Sequence, residues 1–450
     1  MRGKTHKAAK IIAIGSMALL SSNVFADKTS EKLLKILVAN GAINQTQYEE
    51  LSMLVKEDET AAAKAIENEV KVSLKGGHFK MKTADGQFKM QIGGRIMADT
   101  AWYDDPDNKF GDGTELRRAR IFVKGTVWDN WHYKFQYDFA GGGAIKDAYI
   151  KYTGLKQHLD FPLDVTAGNF KEPFSLEELT SSKYITFMER ALPNTFAPGR
   201  NLGVQLSSHG KVMDGGWTAA VGWFGKGFDD DEVGSGFDES TAVAGRVTFA
   251  PIATKTKVLH FGGAAEYRSY DANAGAILRV RERPESHIAD HRLVDTGRFS
   301  AGNTTKWGFE TAGVYGPFSI QSEYMHMNAT DVNRTAQDAR LNGWYVYGSY
   351  FITGESRNYS AKKGAFGRVK PNSIVGQGGW GAWELAARYS SLELESIPGA
   401  NGWEEYNVTL GLNWYATPSI RFMANYVLTD SNNPNFDDPN IFQLRGQIDF

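Results

Sequence analysis

Cysteine is absent from all 450 residues, which rules out a disulfide framework and any thiolate metal site. Past the N-terminal segment no apolar run reaches about 18 residues, so helical membrane spans are excluded. A strong charge of one sign is lacking too: the formal net charge is −2, and nothing points to a nucleic-acid partner. Catalytic signatures are missing. There is no G-x-S-x-G and no H-E-x-x-H, and the nine histidines are scattered. Gly141-Gly142-Gly143 lacks the Lys-Ser/Thr of a phosphate-binding loop and reads as a turn. No enzyme activity, metal or cofactor is expected, although a triad assembled across strands would leave no linear motif.

What is present favours strands and turns. Aromatics make up 12% of the chain, and there are 48 glycines. The last eleven residues, Asn440 to Phe450, are the clearest stretch. Phe442, Leu444, Ile448 and Phe450 fall on one side of an extended strand, and Gln443, Arg445, Gln447 and Asp449 on the other. A terminal strand ending in Phe, on a secreted chain with many such strands, points to an outer-membrane β-barrel whose assembly machinery would read Phe450.

Secretion is expected from the N-terminus. Arg2, Lys4, Lys7 and Lys10 precede an apolar stretch, Ile11 to Leu20, and Val24-Phe25-Ala26 supplies a small-residue cleavage site before Asp27. Residues 1–26 thus read as a signal peptide, and their removal leaves the mature chain more acidic. Residues 27–75 read as a short periplasmic helical segment. Ser30 is placed to cap a helix carrying Leu33, Leu34, Ile36, Leu37 and Val38, with Gly41 as its stop. Asn44 with Gln47 resembles a capping box before Tyr48, Leu51, Leu54 and Val55. A small helical tail and a trimerising coiled coil both fit, because only about two heptads are visible where three or four are needed.

Residues 76–450 read as the barrel. Alternation and turn signals mark sixteen strands near 87–103, 115–129, 131–140, 146–154, 161–171, 202–210, 215–227, 240–252, 258–271, 306–316, 318–331, 342–353, 381–395, 404–418, 419–431 and 440–450. An even count suits a barrel with both ends periplasmic. In the third strand Tyr133, Phe135, Tyr137 and Phe139 oppose Lys134, Gln136 and Asp138; in the fourteenth Tyr406, Val408, Leu410, Leu412 and Trp414 oppose Asn407, Thr409 and Asn413. A charge facing lipid at mid-depth costs roughly 2–4 kcal/mol, so lipid takes the first set and water the second.

Connections alternate between tight turns (Asp129-Asn130, Gly316-Pro317, Pro418-Ser419) and long Asp/Gly/Asn-rich loops. Gly354 to Gly379 breaks the pattern, being long on the periplasmic side. It carries Arg357, Lys362, Lys363, Arg368 and Lys370, and either folds into the pore mouth or signals a hairpin miscounted. Glu172 to Asn201 reads as an inward-folded constriction loop bearing Lys183, Arg190 and Arg200. Ala272 to Thr305 carries Arg279-Val280-Arg281-Glu282-Arg283. In an extended chain those arginines share one face, roughly 7 Å apart, as a ladder for an anion or as a solvated basic loop. On the second strand Arg118, Arg120 and Lys124 share the inward face, and Arg117 sits at the strand end, able to turn toward the constriction loop. Asp147, Glu266, Glu323 and Glu384 face inward as partners of the arginines or as groups that weaken over-tight anion binding.

Leu116-Arg117-Arg118-Ala119-Arg120-Ile121 resembles the phosphate-selective porin O and P family. So do Gly93-Gly94-Arg95, Thr180-Ser181-Ser182-Lys183 with Glu189-Arg190, the run at 279–283, Thr353-Gly354-Glu355-Ser356-Arg357 and Leu412-Asn413-Trp414-Tyr415. The likeness runs from about Gly76 to Phe450. It implies an all-β, sixteen-stranded, homotrimeric porin in outer-membrane lipid that passes phosphate or polyphosphate. By the same resemblance Arg117 and Arg118 match paired eyelet arginines, Lys183 the lysine of the constricting loop, and Arg279, Arg281 and Arg283 the upper ladder. The chain departs from the family pattern at the next rung, offering His287, His291 and Arg292, and at Lys146-Asp147. The competing expectations are a general or differently selective porin and a structural or adhesive barrel.

Overall fold

The computed structural model describes residues 26–67, 70–74, 78–106, 109–227, 239–271, 278–394 and 403–450. The expected signal peptide lies outside them except for Ala26, as does most of the outer loop from Phe228 to Glu239.

From Lys89 onward the period-two pattern folds as sixteen strands: β1 (Lys89–Asp104), β2 (Gly113–Val127), β3 (Trp131–Asp138), β4 (Ala144–Tyr152), β5 (Leu163–Lys171), β6 (Arg200–Val212), β7 (Gly215–Phe224), β8 (Thr241–Ala253), β9 (Lys257–Ser269), β10 (Asn303–Tyr315), β11 (Phe318–Val332), β12 (Gln337–Phe351), β13 (Ala382–Leu394), β14 (Glu404–Tyr415), β15 (Ile420–Ser431) and β16 (Asn440–Asp449). Each pairs antiparallel with the next, and β16 pairs with β1 from Asn440 opposite Asp104 to Asp449 opposite Arg95. The sheet is therefore a closed barrel with no free edge. No described helix is long and apolar enough to cross a membrane.

Closure continues one residue past β16. Gly94 N–H donates to the Phe450 carbonyl at 2.7 Å, and Phe450 N–H donates back at 3.2 Å. A Cβ on Gly93 would lie 2.5 Å from that carbonyl, and one on Gly94 would lie 2.6 Å from the Phe450 ring. The glycine pair is what lets the C-terminus lie down on the first strand.

The two faces separate as the alternation predicts. Phe135 and Leu410 are 47% and 50% exposed on the outside, whereas Arg445 is 2% exposed within. An outward apolar band and an inward polar set are the arrangement a bilayer requires.

The interior is not an empty tube, because three connections fold into it. The first, 172–199, is pinned to the wall by its own backbone. Leu176 and Glu177 N–H donate to the Glu323 carboxylate (3.0 and 2.7 Å), and Met188 N–H donates to Asn425 (2.8 Å). Arg421 donates to the carbonyls of Ile185 and Thr186, both at 2.7 Å. The second, in the span 270–302, reaches the opposite wall through Glu285, which accepts from Ser390 at 2.5 Å and pairs with Arg388 at 2.5 Å. The third is the long connection 352–381 at the end of the barrel that holds the C-terminus. Arg246 donates to the Gly364 carbonyl at 2.7 Å, and Ala365 and Phe366 pack on Leu176 of the first loop. Of the two readings of that connection, folding into the bore is the one observed, and the strand count stands.

The N-terminal unit, residues up to 71 with 82–86, holds α1 (Ala26–Ala39) and α2 (Gln45–Glu67). Gly41, at φ +66°, ends α1 with N–H bonds from Gly41 to Val38 and from Ala42 to Leu37 (both 2.9 Å), a Schellman stop. Asn44 and Gln47 form the reciprocal capping box: Gln47 N–H donates to Asn44 Oδ1 (2.8 Å) and Asn44 N–H to Gln47 Oε1 (3.0 Å). The cap expected at Ser30 is a correction. The helix already runs from Ala26 through it, because Ala and Asp ahead of Ser30 do nothing to stop a helix.

Candidate ion pathway

The paired arginines reach the lumen through an irregularity in β2. Opposite Met97 and Ala98 of β1 stand Arg118 and Leu116, so Arg117 is an extra residue. Such a β-bulge resets the alternation. Leu116 and Ile121 point outward, and Arg117 and Arg118 both turn to Glu189 of the first inserted loop. Arg117 is thus not at a strand end, as the even spacing suggested, but mid-strand. It grips Glu189 through Nε and Nη2, each at 2.8 Å, in the fork geometry of a bidentate pair. Arg118 stands off at 3.7 Å, and its buried Nε has no partner among the described residues.

Glu189 also accepts from Arg445 of β16 at 2.7 Å, and Arg445 holds Asp99 through two bonds of 2.7 and 2.6 Å. Three arginines therefore converge on one carboxylate. A buried carboxylate is tolerated only with such partners.

Nearer the C-terminal end, Lys183 pairs with Asp449 at 3.0 Å, and Arg368 from the third inserted connection meets the same carboxylate. Arg95 of β1 donates to the Ser182 hydroxyl at 2.6 Å and has no carboxylate partner among the described residues. On the adjoining wall Arg120 pairs with Asp138 (2.6 Å), and Asp147 accepts from Arg200 (2.7 Å) and from Lys134. Arg190 turns back into its own loop, donating to the carbonyls of Glu177, Glu178 and Thr180 at 3.1–3.2 Å.

Arg95, Arg118, Arg120, Lys134, Asp147 and Arg368 are among the groups that border one lumenal cavity of about 720 Å³. Twelve Lys and Arg side chains line it against the three carboxylates Asp147, Asp164 and Glu178. The cavity brings together Arg118, Arg120, Asp147, Arg190 and Arg200 of the expected set. It leaves out Arg117, held behind Glu189, and Lys183, held on Asp449. Lys124 is also outside it, exposed on β2 beyond Phe122.

Arg279, Arg281 and Arg283 lie apart, in the second loop. Arg281 and Glu282 pair in a two-residue ladder with Asp295 and Val294, so this part of the run is extended and Val280 is buried between Arg279 and Arg281. The three are unequal, however. Arg279 is clamped on Asp295 (2.7 Å), and Arg283 donates to the Ala289 carbonyl (2.7 Å). The Arg281 guanidinium has no hydrogen-bonded or ion-paired partner among the described residues. Between them Glu282 is half-buried, and the loss of water around it pushes its carboxyl up to about 7.

The inward carboxylates are structural partners. Glu266 pairs with Lys306 (2.9 Å) and Arg268 (2.9 Å). Glu323 receives the loop N–H groups described above, and Glu384 accepts from Tyr415 (2.8 Å) and Asn413 (3.0 Å). Sequence reasoning passed over Arg95, Lys134, Arg246, Glu189 and Arg445. For Arg95 and Arg445 the signal was present in the Gly-Gly-Arg motif and in the inward face of the last strand. Glu189 stood in a family-like motif with Arg190, but nothing local marked its role, since its partners lie on β2 and β16.

A family model for phosphate-selective porin O and P matches residues 90–450. Porin O of Pseudomonas aeruginosa is 29% identical over 429 residues, covering 85% of this chain and 93% of that protein. An uncharacterised protein of Caulobacter vibrioides is 29% identical over 366 residues, covering 79% and 71%. Among solved structures, an anion-selective porin from Comamonas acidovorans superposes with a TM-score of 0.51 at 12% identity, covering 81% of this chain and all of that one. OmpT of Vibrio cholerae superposes with a TM-score of 0.50 at 13% identity, covering 81% and 98%. At those identities the structural likeness speaks for the fold.

Proposed function

The chain belongs to the phosphate-selective porin O and P family and is a porin of the bacterial outer membrane, and from that premise we propose that it is a passive anion-selective channel for phosphate or a related inorganic oxyanion. The observation that carries this reading is the lumenal cavity with twelve cationic side chains against three carboxylates. The field at a constriction, rather than a near-neutral total charge, governs which ion enters. Arg95 and Arg118 are its least neutralised buried guanidiniums, and planar paired donors suit oxyanion oxygens. A unit charge pair at 4 Å contributes about 1 kcal/mol in bulk water and about 4 near a protein surface. Several such contacts in series attract an ion without trapping it. In this reading Arg279, Arg281 and Arg283 gather anions toward the cavity, Lys183 braces the constriction loop on Asp449, and no chemistry is performed on the ion.

The same reading makes residues 1–26 a signal peptide, 27–75 a periplasmic helical segment, and 76–450 the membrane barrel, assembled through Phe450 and working as a homotrimer. Bilayer conductance of the purified protein tests it. Reversal potential in a chloride gradient should favour the anion, and phosphate or pyrophosphate should block chloride current. Cation preference would leave the general-porin reading in its place.

A further inference from the structure

Gln136 lacks the partners that its surroundings ought to give it. It lies on β3 between Lys134 and Asp138 on the inward face and is 1% exposed, yet among the described residues neither its amide oxygen nor its amide nitrogen has a hydrogen-bond partner. Turning the amide over changes nothing, because both ends are bare. Its neighbours are already committed. Asp147, directly opposite on β4, accepts from Arg200 and Lys134. Asp138 accepts from Arg120 at 2.6 Å, and Phe122, opposite on β2, offers only a ring. Buried amides are almost always hydrogen-bonded. This one is on the wall of the basic cavity, together with Arg118, Arg120 and Lys134.

We propose that Gln136 is a specificity-determining residue that reads the proton on the permeating ion. Its N–H donates to a charged oxygen, and its carbonyl accepts from the hydroxyl of a protonated oxyanion of the hydrogenphosphate class. The inference deepens the anion-channel reading and rests on it. Arginine and lysine carry donors only, so they hold sulfate and phosphate alike, through charge and donated hydrogen bonds, and have no acceptor for a hydroxyl. A bare acceptor among cations is a group that a fully deprotonated ion cannot use. A site built around a substrate hydroxyl discriminates strongly against the analogue without it. A resident water is the other occupant the amide admits, and the two make different predictions.

The test uses the full-length protein in planar bilayers at pH 7. The concentrations of phosphate and of sulfate that halve the chloride current are measured for the wild type, Gln136→Leu and the volume-matched Gln136→Met. Losing a hydrogen bond to a charged group should raise the phosphate value about 10-fold in both variants, with sulfate within about 2-fold. An equal shift for both ions would make Gln136 a matter of pore shape, and no shift for either would make it a water site. Either result overturns the proposal. Reversal potential on the same membranes separates the two levels. Cation preference in the wild type sinks the channel reading itself, whereas anion preference with unchanged block in the variants sinks only the role of Gln136.

Discussion

Arg445 and Arg95 stand on neighbouring, paired strands, and both are buried in the same lumen. Arg445 is held by Asp99 and by Glu189 through three charge-assisted bonds, and it shares Glu189 with Arg117. Arg95 has one serine hydroxyl. The difference separates two uses of one residue type. A guanidinium closed on carboxylates is scaffold: its charge is spent locally and its removal damages the wall. A guanidinium facing a cavity with donors to spare keeps its field for the ion. Counting arginines along a strand therefore overstates the pathway, and the partner list is what sorts them.

The sharpest way to break the comparison is at its centre. Glu189→Gln leaves Arg117, Arg118 and Arg445 without their shared carboxylate. Removing one partner from a buried ionic cluster costs about 3–5 kcal/mol, so the barrel should unfold at a clearly lower temperature in a heat-modifiability assay. The same variant should tighten phosphate block by freeing donors. If neither property moves, the scaffold assignment is wrong. Arg95→Glu should act on permeation instead, abolishing or reversing anion preference with little effect on thermal unfolding. An unchanged reversal potential would remove Arg95 from the pathway.

Smaller effects are expected in the outer loop. Arg281→Glu with Arg283→Glu should reduce anion preference, chiefly through unpaired Arg281, whereas Arg279→Ala breaks an exposed pair and should cost about 0–1 kcal/mol. Equal effects of the two changes on selectivity would mean that the Asp295 clamp does not silence Arg279. Glu282 adds a pH dependence. Burial raises its carboxyl from the ordinary value to about 7, so it is neutral in the folded loop at acid pH and ionises as pH rises through 7. In the unfolded chain it ionises earlier. The folded loop is therefore favoured at low pH, and that advantage is lost as pH climbs from the ordinary carboxylate range to about 7. The new negative charge also sits between arginines, so anion preference should weaken between pH 6 and 8. Glu282→Gln should flatten that profile, and a wild-type profile already flat would show that Glu282 does not titrate there.

Much of the fold was legible because a barrel in lipid obeys one local rule. Each strand must alternate, so every strand has its own signature, and all sixteen segments expected from alternation are present within a few residues. The capping box at Asn44 and Gln47 was legible for a similar reason, since both partners lie within one turn. The site was legible only in part. The bulge at Arg117 has no compositional mark, and even spacing placed that residue at a strand end. Glu189 meets residues 72 and 256 positions away, and no local pattern encodes such a meeting. The inserted connection 352–381 left two readings open, a fold into the pore mouth and a miscounted hairpin, because nothing local tells a long insertion from a missed pair of strands. Its burial is decided by partners such as Leu176, Thr180 and Asp449 on distant segments.

Asp449 is the penultimate residue, and it ties together Lys183 of one inserted loop and Arg368 of another while its own strand seals the seam. Threading the bore and shutting the cylinder thereby draw on the same carboxylate and the same strand. A change that cost the chain this carboxylate would therefore slacken two internal folds at once, each losing the anchor it shares with the other.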